Sequence, residues 1–155
     1  MSTLKISLRA GERIFINGAV LRVDRKVTLE VLNNVTFLLE HHVMKPEDTV
    51  TPLRQLYFMI QTAIMEPNSA QDAIAIAHCS LRALKAAFAS QAVLADLAAV
   101  EELLERQRYY ESLRILRKLF AIEDRLMGRG QGSNELTFAD DAASRQANRQ
   151  IAACR

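Results

Sequence analysis

The side chains that most often bind metals in proteins are scarce in this sequence, which contains three histidines and two cysteines. His41 and His42 are adjacent at the end of a predicted strand, where neighbouring side chains point to opposite faces. His78 and Cys79 are adjacent in a predicted helix, where neighbours diverge by about 100°. Neither pair can hold one ion without further ligands, so we predict no metal site and no cofactor.

Acidic side chains are plentiful, but their spacing is typical of a solvated helix face. Glu101, Glu102, Glu105 and Glu111 lie among arginines at helical spacing, which favours ion pairs between successive turns. The sequence has no serine–histidine–aspartate motif, no phosphate-binding loop and no glycine-rich dinucleotide loop. We therefore expect no catalytic residues and no enzymatic activity.

Basic side chains are the third group that could do chemistry, and many of them fall on predicted strands. If Leu4, Ile6 and Leu8 face inward, Lys5 and Arg9 face outward. A small sheet with outward basic residues can contact the phosphates of single-stranded RNA. Acidic residues are interleaved with the basic ones, so an ordinary solvated surface is the alternative. The predicted RNA-contacting residues are Lys5, Arg9, Arg13, Arg22, Arg25, Lys26, His42 and Lys45.

These basic residues lie in residues 1–48, whose hydrophobic pattern predicts about five short antiparallel strands. Apolar and polar residues alternate along this segment, as half-buried strands require. Asn17-Gly18 lies between two such runs and predicts a type I′ hairpin turn. Five strands in about 40 residues cannot bury a core alone. We therefore expect this module to pack on helices, on a second copy of the chain, or on both.

From residue 49 to residue 127 the apolar period is that of a helix. Thr51 and Pro52 predict an N-cap and a first helical residue, and the apolar stripes that follow predict a bundle of three or four helices. Residues 128–155 begin with a glycine-rich segment, turn polar, and predict a flexible, disordered tail. The expected fold class is α+β.

The overall composition limits the functions that are possible. The chain has 155 residues, 50% of them hydrophobic, and 20 basic residues against 18 acidic ones. The resulting net charge of +2 excludes binding to anionic polymers by bulk charge, so any nucleic-acid contact must come from a local patch. No apolar run approaches about 18 residues, and the N-terminus has no signal-peptide core. We expect no membrane contact and a cytoplasmic location.

The helical half offers a second kind of surface. Its broad apolar stripes could accept an amphipathic helix of a partner protein. Tyr109, Tyr110 and Leu113 are the predicted residues of such a groove, and the competing interpretation is that all three belong to the core. Residue patterns alone leave both an RNA-binding regulator and a protein-binding module open.

Three stretches together resemble the flagellar biosynthesis repressor family FlbT. They are LKISLRAGERIFINGAV at residues 4–20, MKPEDTVTPLRQLYF at 44–58, and YYESLRILRKL at 109–119 with the acidic pair at 123–124. The resemblance covers residues 3–127 and implies post-transcriptional control of flagellin. Members of the family are described as associating with the 5′ untranslated leader of flagellin mRNA and promoting its decay, with a second small flagellar protein, FlaF, acting in the opposite sense.

This resemblance implies the flagellin mRNA leader as a partner, with FlaF and flagellin as further candidates, but no residue-level RNA site. Residues 9–16 are also similar to the start of carbon storage regulator proteins, which are strand-swapped dimers that bind mRNA leaders. In that family an arginine that contacts RNA follows a histidine in the last strand, whereas here the match is His41-His42. This similarity therefore implies a possible homodimer, but it does not carry over the arginine.

Overall fold

A computed structural model describes residues 4–128 as a small β module followed by four helices. The strands are β1 (Leu4–Leu8), β2 (Arg13–Ile16), β3 (Ala19–Arg22), β4 (Val27–Val31) and β5 (Phe37–Leu39). The helices are α1 (Pro52–Met65), α2 (Ala70–Ala87), α3 (Gln91–Glu105) and α4 (Tyr109–Leu126). The predicted α+β fold, strands first and helices after, is confirmed, while the predicted tail beyond Gly128 lies outside the described residues.

The five strands form two antiparallel sheets rather than one. β1 pairs with β4, and β2 lies between β3 and β5. The β2–β3 turn has positive φ at both central residues, Asn17 (49°) and Gly18 (85°), with Ile16 paired to Ala19. This is the backbone that a type I′ turn requires, so the predicted hairpin is confirmed.

Two strands depart from the half-buried pattern expected of them. Every residue of β3 is exposed, including Val20 at 56% and Leu21 at 48%. β3 and β5 are the two outer strands of their sheet, but β5 is covered by the helices, since its Leu38 belongs to their core. β3 is left uncovered, so its apolar residues contribute through the pairing with β2. In β1, Ile6 and Leu8 are buried as predicted, whereas Leu4 remains 45% exposed.

The four helices bury one continuous core, as their apolar stripes predict. Leu56, Ile60, Leu84 and Leu97 are completely buried in it. Because burying one such side chain contributes about 1.5–3 kcal/mol, this core is the main source of stability. The Thr51 side chain caps α1 as predicted, by accepting a hydrogen bond from the Arg54 N–H at 3.3 Å.

The β module is docked on this bundle rather than standing apart from it. The module has its own small core of Ile6, Leu8, Ile14 and Phe37. Leu38 of β5 belongs to the core of the helices. At the hairpin tip, a Cβ added to Gly18 would lie 2.7 Å from Cδ of Pro67, so the hairpin touches the turn between α1 and α2. The relative position of the module and the helices is therefore fixed by packing.

Candidate ligand-binding surfaces

The basic residues predicted to contact RNA do not form one continuous free surface. Arg13 is held by Glu40: the carboxylate accepts the Arg13 N–H at 2.9 Å and the guanidinium Nε at 2.9 Å. The hydrogen bond from the Arg13 backbone is the main reason why the pKa of Glu40 is lowered. Arg25 pairs with Asp24 at 3.2 Å, and Lys5 stands directly opposite Glu30 in the β1–β4 ladder. Each of these three basic residues has an acidic partner or neighbour.

Two of the predicted residues do come together. Arg9 and Lys26 line a cleft of about 560 Å³, with Ser7, Leu8, Glu12 and His41 as its other lining residues. We call this the module cleft. The one carboxylate of this lining is engaged, because Glu12 accepts a hydrogen bond from the Arg9 backbone N–H at 2.7 Å. The module cleft therefore offers two basic side chains to an anion.

His42 differs from the other predicted RNA residues because it lies at the junction with the helices. Burial lowers its pKa to about 4, and the positive charges of Arg117 and His41 add to this effect. Its Nδ1 is buried and has no hydrogen-bond partner among the described residues, while its backbone carbonyl accepts a hydrogen bond from the Tyr57 hydroxyl at 2.5 Å. His42 therefore contacts α1 through its backbone carbonyl, and its imidazole is neutral at neutral pH. Lys45 is exposed in the segment between β5 and α1, and Arg22 is exposed opposite Arg13 in the β2–β3 ladder.

A larger groove of about 1130 Å³ lies between the β module and the start of α4. We call this the junction groove. One wall comes from Leu4, Asn17 and residues 31–37, and the other from residues 106–111 and Arg114. The groove thus requires both halves of the molecule.

The three residues predicted to form a partner groove divide between this groove and the core. Tyr109 and Tyr110 line the junction groove and are half-buried, whereas Leu113 is completely buried among the helices. The Tyr110 ring stacks on Phe37 with centroids 4.4 Å apart, and the Arg117 guanidinium lies 5.7 Å from its centroid. For Leu113, the core interpretation is the one that the structure supports.

The polar side chains of the junction groove were not predicted from the sequence. Arg106, Arg108 and Arg114 line it together with Asn33 and Asn34. A signal was available, because residues 106–110 read Arg-Gln-Arg-Tyr-Tyr, which is a short basic and aromatic cluster. The cluster lies between the end of α3 and the start of α4. Because arginines at helical spacing are typical of a solvated helix face, the pattern did not mark these residues as a site.

The acidic pair at 123–124 forms a clasp between α4 and the start of α1. Glu123 is 1% exposed and accepts hydrogen bonds from Thr51 Oγ1 at 2.5 Å, from the Leu53 N–H at 3.2 Å and from Arg54 Nη1 at 3.2 Å. Arg54 also reaches Asp124 at 3.0 Å. Burial raises the pKa of Glu123, and the Thr51, Leu53 and Arg54 contacts oppose that rise. All these donors satisfy one carboxylate, so we assign the cluster a structural role.

Metal clusters and membrane-spanning helices are both absent from residues 4–128. No group of three histidine, cysteine, aspartate or glutamate side chains in this range is arranged to hold a metal ion. None of the helices in the same range is long and apolar enough to cross a membrane.

The fold and its surfaces define a class: an α+β protein in which a small β module docks on a four-helix bundle, with one groove at their junction and a cleft on the module. Within this class, the family described as flagellar protein FlbT matches residues 4–127. The chain belongs to the FlbT family. The match spans the β module and all four helices.

Curated relatives agree with this assignment. A protein of Rhizobium johnstonii is 51% identical over 126 residues, which is 81% of this chain and 85% of the relative. One from Chelativorans is 44% identical over 138 residues (89% and 95%), and one from Brucella ovis is 50% identical over 127 residues (82% and 84%). All three are named probable flagellum biosynthesis repressor protein FlbT. No solved structure matches the chain.

Proposed function

We propose that this chain is a post-transcriptional repressor of flagellum biogenesis that binds the 5′ untranslated leader of flagellin mRNA and promotes its degradation. The observation that carries the proposal is the family match over residues 4–127, together with the repressor name of the relatives. The chain acts as a binding protein and not as the nuclease, so a separate nuclease cleaves the message. Two grooves that present arginine and lysine side chains are compatible with this role.

The chemistry of these grooves favours a short single-stranded segment over a long duplex. A protein with a net charge of +2 lacks the broad basic face that tracks duplex phosphates. Local arginines beside aromatic and amide side chains are what proteins use to hold unstacked nucleotides. We therefore expect the protein to bind an unpaired region of the leader, with few phosphate contacts.

A gel-shift titration of the purified protein against a flagellin mRNA leader tests the proposal. A shuffled RNA of equal length is the control. We expect tight binding to the leader only, and an affinity that falls about fiftyfold between 50 and 200 mM salt if four phosphates of a single strand are contacted. Equal weak binding to both RNAs would contradict direct recognition of the leader.

A protein-binding adaptor is the second candidate function, and the exposed leucines of the junction groove favour it. Leu4 is 45% exposed and Leu32 is 76% exposed, and both line that groove. In this case flagellin or FlaF would be the ligand, and the effect on flagellin mRNA would be indirect. Pull-down assays with purified flagellin and with purified FlaF test this candidate, because retention of neither protein would contradict it.

A further inference from the structure

We propose that the junction groove, rather than the module cleft, holds the unpaired bases of a single-stranded RNA. The proposal rests on the proposed function, because it assigns the site of RNA binding within the same protein. In this arrangement Tyr109 stacks on a base, Arg108 and Arg114 contact phosphates, and Gln107 and the asparagines of the opposite wall contact base edges. Four kinds of observation support this assignment.

The first observation is the state of the two tyrosines. One face of the Tyr110 ring is covered by Phe37, and the Arg117 guanidinium lies near the ring as well. Tyr110 is therefore a fixed wall of the groove. Tyr109 lines the same groove and packs against the helical core, so that it is half-buried, but it has no ring or cation contact of this kind among the described residues. A partly exposed ring beside a rigid wall is the arrangement on which an unstacked base can be placed.

The second observation is the charge of the groove. Its lining contains three arginines and one carboxylate, that of Glu111. Arg108 pairs with Glu111 at 2.5 Å, and Arg106 pairs with Glu102 at 2.6 Å, but Arg108 and Arg106 are 52% and 63% exposed. Ion pairs at this exposure are weak and exchange readily with other anions. Arg114 is exposed and has no salt bridge within residues 4–128. An anionic ligand therefore has three guanidinium groups within reach of one groove.

The third observation is the backbone of Gln107. The turn after α3 is a Schellman motif, because the Gln107 N–H donates to the Leu104 carbonyl at 3.0 Å and the Arg108 N–H donates to the Leu103 carbonyl at 2.8 Å. The residue with positive φ in this motif is usually glycine, yet here it is Gln107, with φ 58°. A glutamine is thus kept where glycine is favoured, and its exposed amide lies in the lining of the groove. Strain at such a position points to a role for the side chain.

The fourth observation is the opposite wall, where Asn33 and Asn34 are exposed in the loop before β5. Amide side chains on both walls can donate and accept hydrogen bonds at once, as base edges do. A peptide ligand would explain the exposed Leu32, but it would not by itself require the excess of arginine over carboxylate. Charge complementarity therefore favours an RNA strand as the occupant.

The test compares three variants of the full chain in titrations against the flagellin mRNA leader. Gln107→Gly combined with Arg114→Gln removes two side chains from the groove, while the glycine suits the positive φ. Arg9→Gln combined with Lys26→Gln alters the module cleft. Arg82→Gln removes an exposed arginine of α2 that is not in either groove, and serves as the matched control.

We expect the groove variant to bind the leader at least about tenfold more weakly, which corresponds to the removal of one good interaction with a base or a phosphate. Its salt dependence should become shallower by about 0.7 in log–log slope for each phosphate that the variant no longer binds. Arg82→Gln should bind within about twofold of the wild type. The groove variant should melt close to the wild-type temperature, because glycine suits the positive φ at position 107 and Arg114 has no salt bridge within residues 4–128. That result separates weaker RNA binding from a folding defect.

The possible failures are distinguishable. If the wild type does not prefer the leader to a shuffled RNA, direct leader recognition fails, and the groove assignment fails with it. If the wild type prefers the leader and the groove variant binds equally well, only the groove assignment is overturned. Loss of binding in the module-cleft variant would then place the RNA on the β module. Loss of flagellin capture by the groove variant, with RNA affinity unchanged, would instead make the occupant a protein.

Discussion

Two carboxylates show how differently the β module and the helical bundle are held together. In the bundle, Glu123 is buried and its donors come from the first turn of α1 and the residue that caps it. In the module, Glu40 holds Arg13 from a position where the two side chains are 39% and 55% exposed. The ion pair between Glu123 and Arg54 is therefore part of the interior. Water competes for the ion pair between Glu40 and Arg13.

This difference matters because the junction groove has one wall in each region. The helical wall, at the start of α4, belongs to an element that packs into the large core and is clasped to α1. The other wall rests on the four-residue core of the module and on the hairpin contact with Pro67. We therefore expect substitutions in the core of the bundle to lower the free energy of unfolding most. Substitutions in the module should alter the junction groove with a smaller loss of stability.

The largest effect should come from Glu123→Ala. Removing this carboxylate leaves the Thr51 hydroxyl and the Leu53 N–H without their acceptor, and deprives Arg54 of one of its two carboxylates. We expect the free energy of unfolding to fall by about 3 kcal/mol, measured by urea denaturation. Glu123→Gln keeps one acceptor oxygen and should lose less, while the exposed Glu105→Ala should change the stability by less than about 0.5 kcal/mol. Equal losses for all three variants would contradict the clasp.

The second prediction measures the docking of the module through its hairpin tip. Gly18→Ala introduces strain at the positive φ and also places a Cβ 2.7 Å from Pro67, so we expect a loss of about 2 kcal/mol. Gly11→Ala is the matched control, because Gly11 has the same φ of 85° with nothing within 4 Å of an added Cβ. It should lose about 1 kcal/mol. Equal losses for the two alanine variants in thermal or urea denaturation would show that the contact with Pro67 contributes nothing.

Much of this architecture could be predicted from the sequence, because local signals determine it. The type I′ turn follows from Asn17-Gly18, and the start of α1 follows from Thr51 and Pro52. The burial of the helix stripes also follows from their period. The exposure of β3 could not be predicted, because alternation does not reveal which strands another element will cover: both β3 and β5 are outer strands, and only β5 packs on the helices.

The candidate site was harder to predict, because it depends on contacts distant in sequence. The pairing of Arg13 with Glu40 joins residues 27 positions apart and occupies a predicted RNA contact. The junction groove brings residues 31–37 against residues 106–111, which no local pattern indicates. Of the three residues predicted for a partner groove, Tyr109 and Tyr110 line the junction groove and Leu113 is buried in the helical core. The spacing of the three along one helix does not distinguish these two environments.

The third prediction concerns how the stability of the protein depends on pH through His42, which lies where the β module meets the helices. The pKa of His42 is lowered to about 4 from an ordinary value of 6.5. Between these values the unfolded chain binds a proton that the folded chain does not, so stability should fall as the pH decreases from 6.5 to 4. The groups that face this imidazole include Arg117, His41 and Tyr110.

The measurement is the melting temperature at several values between about pH 7 and pH 4. The raised pKa of Glu123 acts in the opposite sense in the acidic part of this range, so the comparison with His42→Gln isolates the histidine. This variant should lose less stability on acidification than the wild type does. His78→Gln removes an imidazole from α2 and is the control. If the melting temperatures of the wild type and of His42→Gln fall in parallel as the pH decreases, His42 is not the source of the pH dependence.

The smallest effect should come from the exposed ion pair of Arg13 and Glu40, whose contribution to stability can be compared with that of the buried Glu123. Arg13→Gln removes the guanidinium contacts with Glu40 but keeps the backbone N–H that the carboxylate accepts. Because the pair is exposed, we expect a loss of less than about 1 kcal/mol at low salt, and less still at about 0.5 M salt. Since Arg13 is already occupied by Glu40, its replacement should leave the affinity for the leader within about twofold of the wild type. A larger loss of affinity for the leader, without loss of stability, would show that RNA displaces Glu40 from Arg13. The RNA-binding site would then lie on the β module.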